Sequence, residues 1–189
     1  MSISFGNSTF NDLRINVSID EFAHYSSKFI DIDGCSIRLS KHDSILCVKD
    51  SFFHECTSKT LSGAIHYEGN SAATIIRACG QKCSTSSKYE DPKYSHFCRL
   101  FSENNNSFFK ASESTIVDCG NTITGLGQFQ MYGTSHQNFD SINISNSKAY
   151  SDAATVNREA LVSDVKFLNY HTNYADRSAI TKLWRFSLF

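Results

Sequence analysis

The sequence predicts an all-β protein, a right-handed parallel β-helix solenoid of about six coils behind an irregular N-terminal cap. Three observations carry that prediction. Ser, Asn, Thr, Ile and Phe dominate the 189 residues and Pro occurs once, at Pro92, a balance that favours pleated, half-buried strands over helices. A short pattern recurs along the chain: a large apolar residue, two variable positions, then usually Cys. Its spacing falls in the range of one solenoid coil.

The six copies of the pattern are Ile32-Asp33-Gly34-Cys35, Phe53-His54-Glu55-Cys56, Ile76-Arg77-Ala78-Cys79, Ile116-Val117-Asp118-Cys119, Ile144-Ser145-Asn146-Ser147 and Phe167-Leu168-Asn169-Tyr170. Their apolar anchors lie 21, 23, 40, 28 and 23 residues apart. The long gap contains the polar stretch 84–96, read as a loop insertion whose removal leaves 27 residues. Two positions before each anchor stand Ile30, Ser51, Thr74, Ser114, Ile142 and Val165, small or apolar as a period-two strand with one inward face requires. A second strand is expected seven to ten residues after each anchor segment, at 44–46, 63–67, 128–131, 153–156 and 178–180. Residues 157–169, taken alone, carry an N-cap candidate and helical spacing at Leu161, Val165 and Leu168; the repeat register assigns them to strand.

Phe53-His54-Glu55-Cys56 followed by Gly63-Ala64-Ile65-His66-Tyr67 resembles the repeats of the polymorphic outer-membrane-protein type and of related surface-protein families of parasitic protists. Those families alternate a Phe-x-x-Asn or Cys-x-Phe-x-x-Cys segment with a Gly-Gly-Ala-Ile segment. Here the glycine pair is reduced to Ser62-Gly63, and later coils keep only Ala-Ala or Ser-Ala. The resemblance spans Lys28 to Lys182 and implies a surface-exposed β-helix. The organisation expected is a cap over 1–27, the coil stack over 28–182 with its insertion at 84–96, and a C-terminal cap or truncated coil over 183–189. Truncation is favoured because the final coil lacks its next anchor segment.

Composition narrows the function. Net charge is −1 with both signs scattered, so no basic stripe exists to neutralise phosphates, which argues against a nucleic-acid partner. No charged and apolar leader opens the chain, and no run is long enough to span a bilayer. Four sequons begin at Asn7, Asn16, Asn105 and Asn143, about the chance number for such a chain. The compartment stays open, a cell surface being possible for a longer protein. Neither a phosphate-binding glycine loop nor a Gly-x-Ser-x-Gly elbow occurs, and no cofactor is implied.

Two clusters carry chemistry. Asp33, His54 and Arg77, with Asp31 alongside, fall on one outward column if the anchors point inward. Carboxylate, imidazole and guanidinium at that spacing suit proton transfer on an acidic sugar. Cys79-x3-Cys83 and His96-x-Cys98 flank the insertion with soft and borderline donors, a pattern compatible with tetrahedral zinc. Against the first, no second acid occupies the neighbouring rung for glycoside hydrolysis; against the second, Cys79 belongs to the interior cysteine column. Cys35, Cys56 and Cys79 are expected to stack as buried free thiols, since in-register Cβ atoms about 4.8 Å apart exceed disulfide reach. The reading is therefore a non-catalytic structural or surface-interaction module contacting host or self proteins or glycans. The alternatives are a carbohydrate-active lyase or hydrolase, or a piece of a longer repeat protein without independent activity.

Overall fold

The computed structural model describes residues 2–6, 9–11, 15–17, 21–25, 28–30, 32–86, 94–121, 124–133, 136–157, 160–172 and 180–183, with side chains from residue 28 onward except 157 and 181–183. The described residues are all-β: strands in parallel sheets, with no helix and no closed barrel. Every strand pairing is parallel.

The larger sheet has two arms. One stacks Ser2–Gly6, Glu21–Tyr25, Ile45–Lys49 and Ala72–Ile76. The other stacks Thr9–Asn11, Lys28–Ile30, Phe52–His54 and Cys79–Gln81. Both arms meet on the ten-residue strand Phe108–Val117 and continue through His136–Ser145 and Leu161–Leu168. The second sheet stacks Ile15–Val17, Ile37–Ser40, Ile65–Glu68, Cys98–Phe101, Phe129–Tyr132, Ala154–Asn157 and Ile180–Leu183. The segment with helical spacing, 157–169, contains the strand Leu161–Leu168, as the repeat register requires. Its neighbour His136–Ser145 supplies backbone partners on both sides of the bend, and that long-range pairing overrides a local helical pattern.

Bends recur in register. Asp50, Arg77, Glu113, Ser141 and Asp164 have φ between 45° and 53°, and so, five residues further on, do Glu55, Lys82, Asp118, Asn146 and Asn169, between 48° and 55°. In both series successive members are 27, 36, 28 and 23 residues apart. A left-handed residue turns a strand sharply without a loop. Ten non-glycine residues in that region, in two series a constant five residues apart, make two aligned corners that bend successive strands the same way.

The anchor column differs from the expected one at two rungs. Phe53 lies in register with Phe29 and Gly80, not with Ile32 and Ile76. The column continues through Ile116, Ile144 and Phe167. Ile76 stands opposite Lys49 and Ser112 on the outward side, while Ile75 is buried. Gly80 carries no apolar signal because it has no side chain: a Cβ there would lie 2.4 Å from the Phe97 ring. Phe97 fills that space from the opposite wall, edge-on to Phe53 (5.7 Å) and Phe129 (5.4 Å), and Phe129 meets Phe139 at 5.4 Å. These rings join the two sheets around one apolar core, close-packed enough that a ring on one wall dictates an empty position on the other.

The cysteine column shifts with the anchors. Its members are Cys56, Cys83 and Cys119, followed by Ser147; Cys35 and Cys79 lie elsewhere. The Cys83 N–H donates to the Cys119 Sγ at 3.2 Å, and the Cys119 N–H to the Ser147 Oγ at 3.1 Å. The preceding left-handed corner turns each of these amides out of the strand ladder, and a thiol or hydroxyl one rung on accepts it. At the other corner the Ala78 N–H donates to the Ser114 Oγ at 3.1 Å in the same way. A small polarizable acceptor after each bend thus explains why Cys and Ser share the position. All seven cysteines are free, and burial raises the thiols of Cys35 and Cys83 well above the usual range.

Candidate functional site

Of the first residue set, Asp31 lies outside the described residues. The other three are not brought together. Arg77 occupies a corner between Asp50 and Glu113: its Nε and Nη2 both donate to the Asp50 carboxylate, the latter at 3.0 Å, and Nη1 to Glu113 at 3.4 Å. These hydrogen bonds hold Asp50 below its ordinary range and raise Arg77. The reason for the misplacement is the frame shift from Ile76 to Gly80: Arg77 follows an outward isoleucine at a bend rather than an inward anchor. His54 stacks in register with Ile30 and Gln81. Asp33 is exposed and bridges Thr57.

The second set is likewise dispersed. Cys79 pairs with Phe52 and Thr115 in the larger sheet, whereas Cys98 pairs with Ile65 and Phe129 in the second. The Cys83 thiol donates to the carbonyls of Phe53 and Gln81 at 3.5 and 3.6 Å. His96 uses both ring nitrogens: Nδ1 accepts from the Thr85 N–H at 3.1 Å and Nε2 donates to the Thr124 carbonyl at 2.8 Å. Its ring sits so close to Gly120 and Gly125 that a Cβ would approach within 2.4 and 2.6 Å. Burial lowers it to about 4, so it is a neutral core histidine stitching two loops. Of the stretch 84–96, Ser84–Thr85 form a strand with Thr57–Ser58, and Ser95 and His96 are buried; residues 87–93 lie outside the description. Among the described residues no group of three or more His, Cys, Asp or Glu is arranged to hold a metal ion.

What surrounds Asp33 is more open. A groove of about 440 Å³ is lined by Asp33, Arg38, Ser58, Lys59 and Thr60. Behind Asp33 a second depression is lined by Glu55, Thr57 and Lys82. The Lys82 ammonium donates to Glu55 at 2.9 Å, and His54 Nε2 lies 3.8 Å from the same carboxylate. Two cations and a carboxylate on one side, and a salt-bridged carboxylate on the other, suit a polar, hydrogen-bonding partner. Cleavage of a glycosidic bond needs one carboxyl shielded from water and a second placed for water or nucleophile. Asp33 is exposed and Glu55 is tied to Lys82, so neither carboxyl has that shielding.

A second polar feature had no sequence signal. On the outward face of the second sheet, His66 lies in register between Arg38 and Arg99, and Arg99 beside Gln130. His66, Arg99 and Gln130 are only 2, 4 and 0% exposed. The Arg99 Nη1 donates to Glu68 at 2.7 Å and its guanidinium sits 4.8 Å from the Phe101 ring centroid. His66 Nε2 is 3.4 Å from the same carboxylate. These partners hold Glu68 at about 2, His66 first and Arg99 second, while burial lowers His66. His66 Nδ1, Arg99 Nε and both amide atoms of Gln130 have no hydrogen-bond partner. A sequence pattern marks outward positions as solvated, so nothing in the residue order distinguishes this strip from an ordinary surface.

No family model matches the chain, and no curated protein or solved structure does either.

Proposed function

We propose that the chain is a right-handed parallel β-helix of polymorphic outer-membrane-protein-like kind, serving as a non-catalytic module for contact with a protein or glycan surface. Parallel strands joined by a crossover wind right-handedly in nearly all known cases, and aligned corners 27, 36, 28 and 23 residues apart are what one coil per rung needs. The observation that carries the functional half is where the charges go. Arg77 is spent on Asp50 and Glu113, and Lys82 on Glu55, so the corner charges serve the stack. The Asp33 groove, with Arg38 and Lys59, remains for an external acidic or hydroxylated partner.

The winding is tested by nitroxide labels at the second corner. From Glu55 to Asn169 there are four rungs, so the backbone separation is about 19 Å at about 4.8 Å per rung, with Lys82, Asp118 and Asn146 at equal intermediate steps. Distances that do not grow evenly reject it. For contact, glycan and peptide arrays should yield binding that Arg38→Ala with Lys59→Ala weakens and that produces no turnover. Release of reducing ends that depends on Asp33 or Glu55 would establish a hydrolase instead.

A further inference from the structure

The Asp33 groove and the depression behind it meet at Asp33, which lines both. One run of chain supplies the facing wall of each: Glu55 and Thr57 to the depression, of about 510 Å³, and Ser58, Lys59 and Thr60 to the groove. Local hydrogen bonds fix that run. The Thr57 N–H donates to the Ile32 carbonyl at 2.8 Å, and the Gly34 N–H to the Thr57 carbonyl. The Ser58 Oγ accepts the Leu61 N–H at 3.0 Å, a side-chain turn that leaves Lys59 and Thr60 exposed. Positive charge lies at the two ends. Arg38 and Lys59 are exposed at one, and among the described residues neither pairs with a carboxylate. Lys82 stands at the other, on Glu55. Between them are the Asp33 carboxylate and the exposed threonines Thr57 and Thr60. Past Glu55, the His54 and Phe52 rings are stacked 5.9 Å apart and 29° from parallel.

We infer that the ligand of this surface is an acidic oligosaccharide, a chain of hydroxylated rings bearing carboxylate or sulfate, laid along the run 54–60. The inference rests on the contact reading above and narrows it to one ligand class. The planar guanidinium of Arg38 matches an acid group bidentately, and the lysines act as point charges. Asp33 and the threonines exchange hydrogen bonds with ring hydroxyls, and the Phe52 ring offers a flat apolar seat beyond them. A peptide matches less well. Peptide contacts draw their affinity from large apolar side chains in desolvated pockets, and the large apolar liners here are only Leu61 and the buried Ile32. A neutral glycan would leave Arg38 and Lys59 without a counter-charge.

Titration calorimetry of the whole chain with tetragalacturonate, a heparin tetrasaccharide, cellotetraose and tetraglutamate tests the inference. At least one acidic tetrasaccharide should bind about tenfold more tightly than cellotetraose and tetraglutamate, and which one does so tells carboxylate from sulfate. Arg38→Ala with Lys59→Ala should abolish that preference at an unchanged melting temperature. Lys148→Ala with Lys166→Ala, which removes the same charge on other coils, should leave it intact. Equal weakening by the two pairs would mean adsorption by net charge and overturns the inference. Cellotetraose or tetraglutamate binding as tightly as the acidic sugars overturns it too, while contact as such survives. So does the failure of both acidic probes to bind; the contact reading falls with it only if the glycan and peptide arrays are also blank.

Discussion

The first corner and the outward face of the second sheet both stack polar side chains one rung apart, yet water treats them oppositely. At the corner, Asp50, Arg77 and Glu113 are hydrated and alternate in sign, so each rung neutralises the next. On the second sheet, His66, Arg99 and Gln130 are closed off from solvent, share the single carboxylate of Glu68, and leave four polar atoms without partners. Stacking alone therefore sets which residues meet, and solvent sets what the meeting is worth. Hydrated charges in register contribute little; buried ones carry large penalties unless satisfied.

That contrast is open to breakage in order of size. Arg99→Ala removes both a partner of Glu68 and the packing over Phe101 and should cost about 3 kcal/mol of unfolding free energy, read from urea melts. Arg99→Met, which keeps the packing against Phe101 and discards an unpartnered Nε, should cost much less. Equal losses in the two variants would show that the charge, not the packing, sustains the strip.

Acidification should strike the buried groups before the corner. His96 and His66 titrate lower in the folded chain than in the unfolded one, so between their folded and unfolded values the unfolded state holds more protons. Their stability contribution is complete above about pH 6.5 and declines as pH falls. For His96 the loss runs to about pH 4 and amounts to about 3 kcal/mol. The Glu68 contribution follows, lost between its ordinary value of 4.5 and about 2. His96→Gln should flatten the decline above pH 4 in thermal melts at a series of pH values. A decline unchanged in that variant would place the titration elsewhere.

Gln130→Met should raise stability by about 1 kcal/mol, since two unsatisfied buried amide atoms disappear and the volume is kept. A loss in urea melts would mean that the amide has a partner in solution. The smallest effect belongs to the corner. Arg77→Ala should lower the melting temperature slightly at low salt, and the difference should vanish in high salt. Arg77→Gly should do less harm than Arg77→Ala, because φ is 49° there and glycine adopts that region without strain. The opposite order would mean that the entropy glycine adds to the unfolded chain outweighs the strain relieved at the bend.

Much of the architecture was legible in the residue order, because period and spacing are properties of order. The strand Leu161–Leu168 was recovered against its own helical pattern from the interval between Ile144 and Phe167. The register failed at Ile32 and Ile76 for a specific reason. An apolar residue three places before a cysteine imitates an anchor, while the true anchors are Phe29, which has isoleucine three places on, and Gly80, which yields its volume to Phe97. The candidate sites inherited that error. Arg77 moved to a corner, His96 proved to be a satisfied core residue, and only Asp33 lines an open groove. The strip around His66 and Arg99 gave no signal, since alternation marks those positions as outward and says nothing of what closes over an outward face.

By itself, then, the sequence determined that this chain forms parallel β-structure, because alternation is set locally by backbone geometry and side-chain volume. Only the tertiary structure decided which residue occupies each rung and which polar groups lose their water. Those outcomes depend on side chains far apart in the chain, such as Phe97 against Gly80 or Arg99 beside Glu68 and Gln130, whose contact no local pattern encodes.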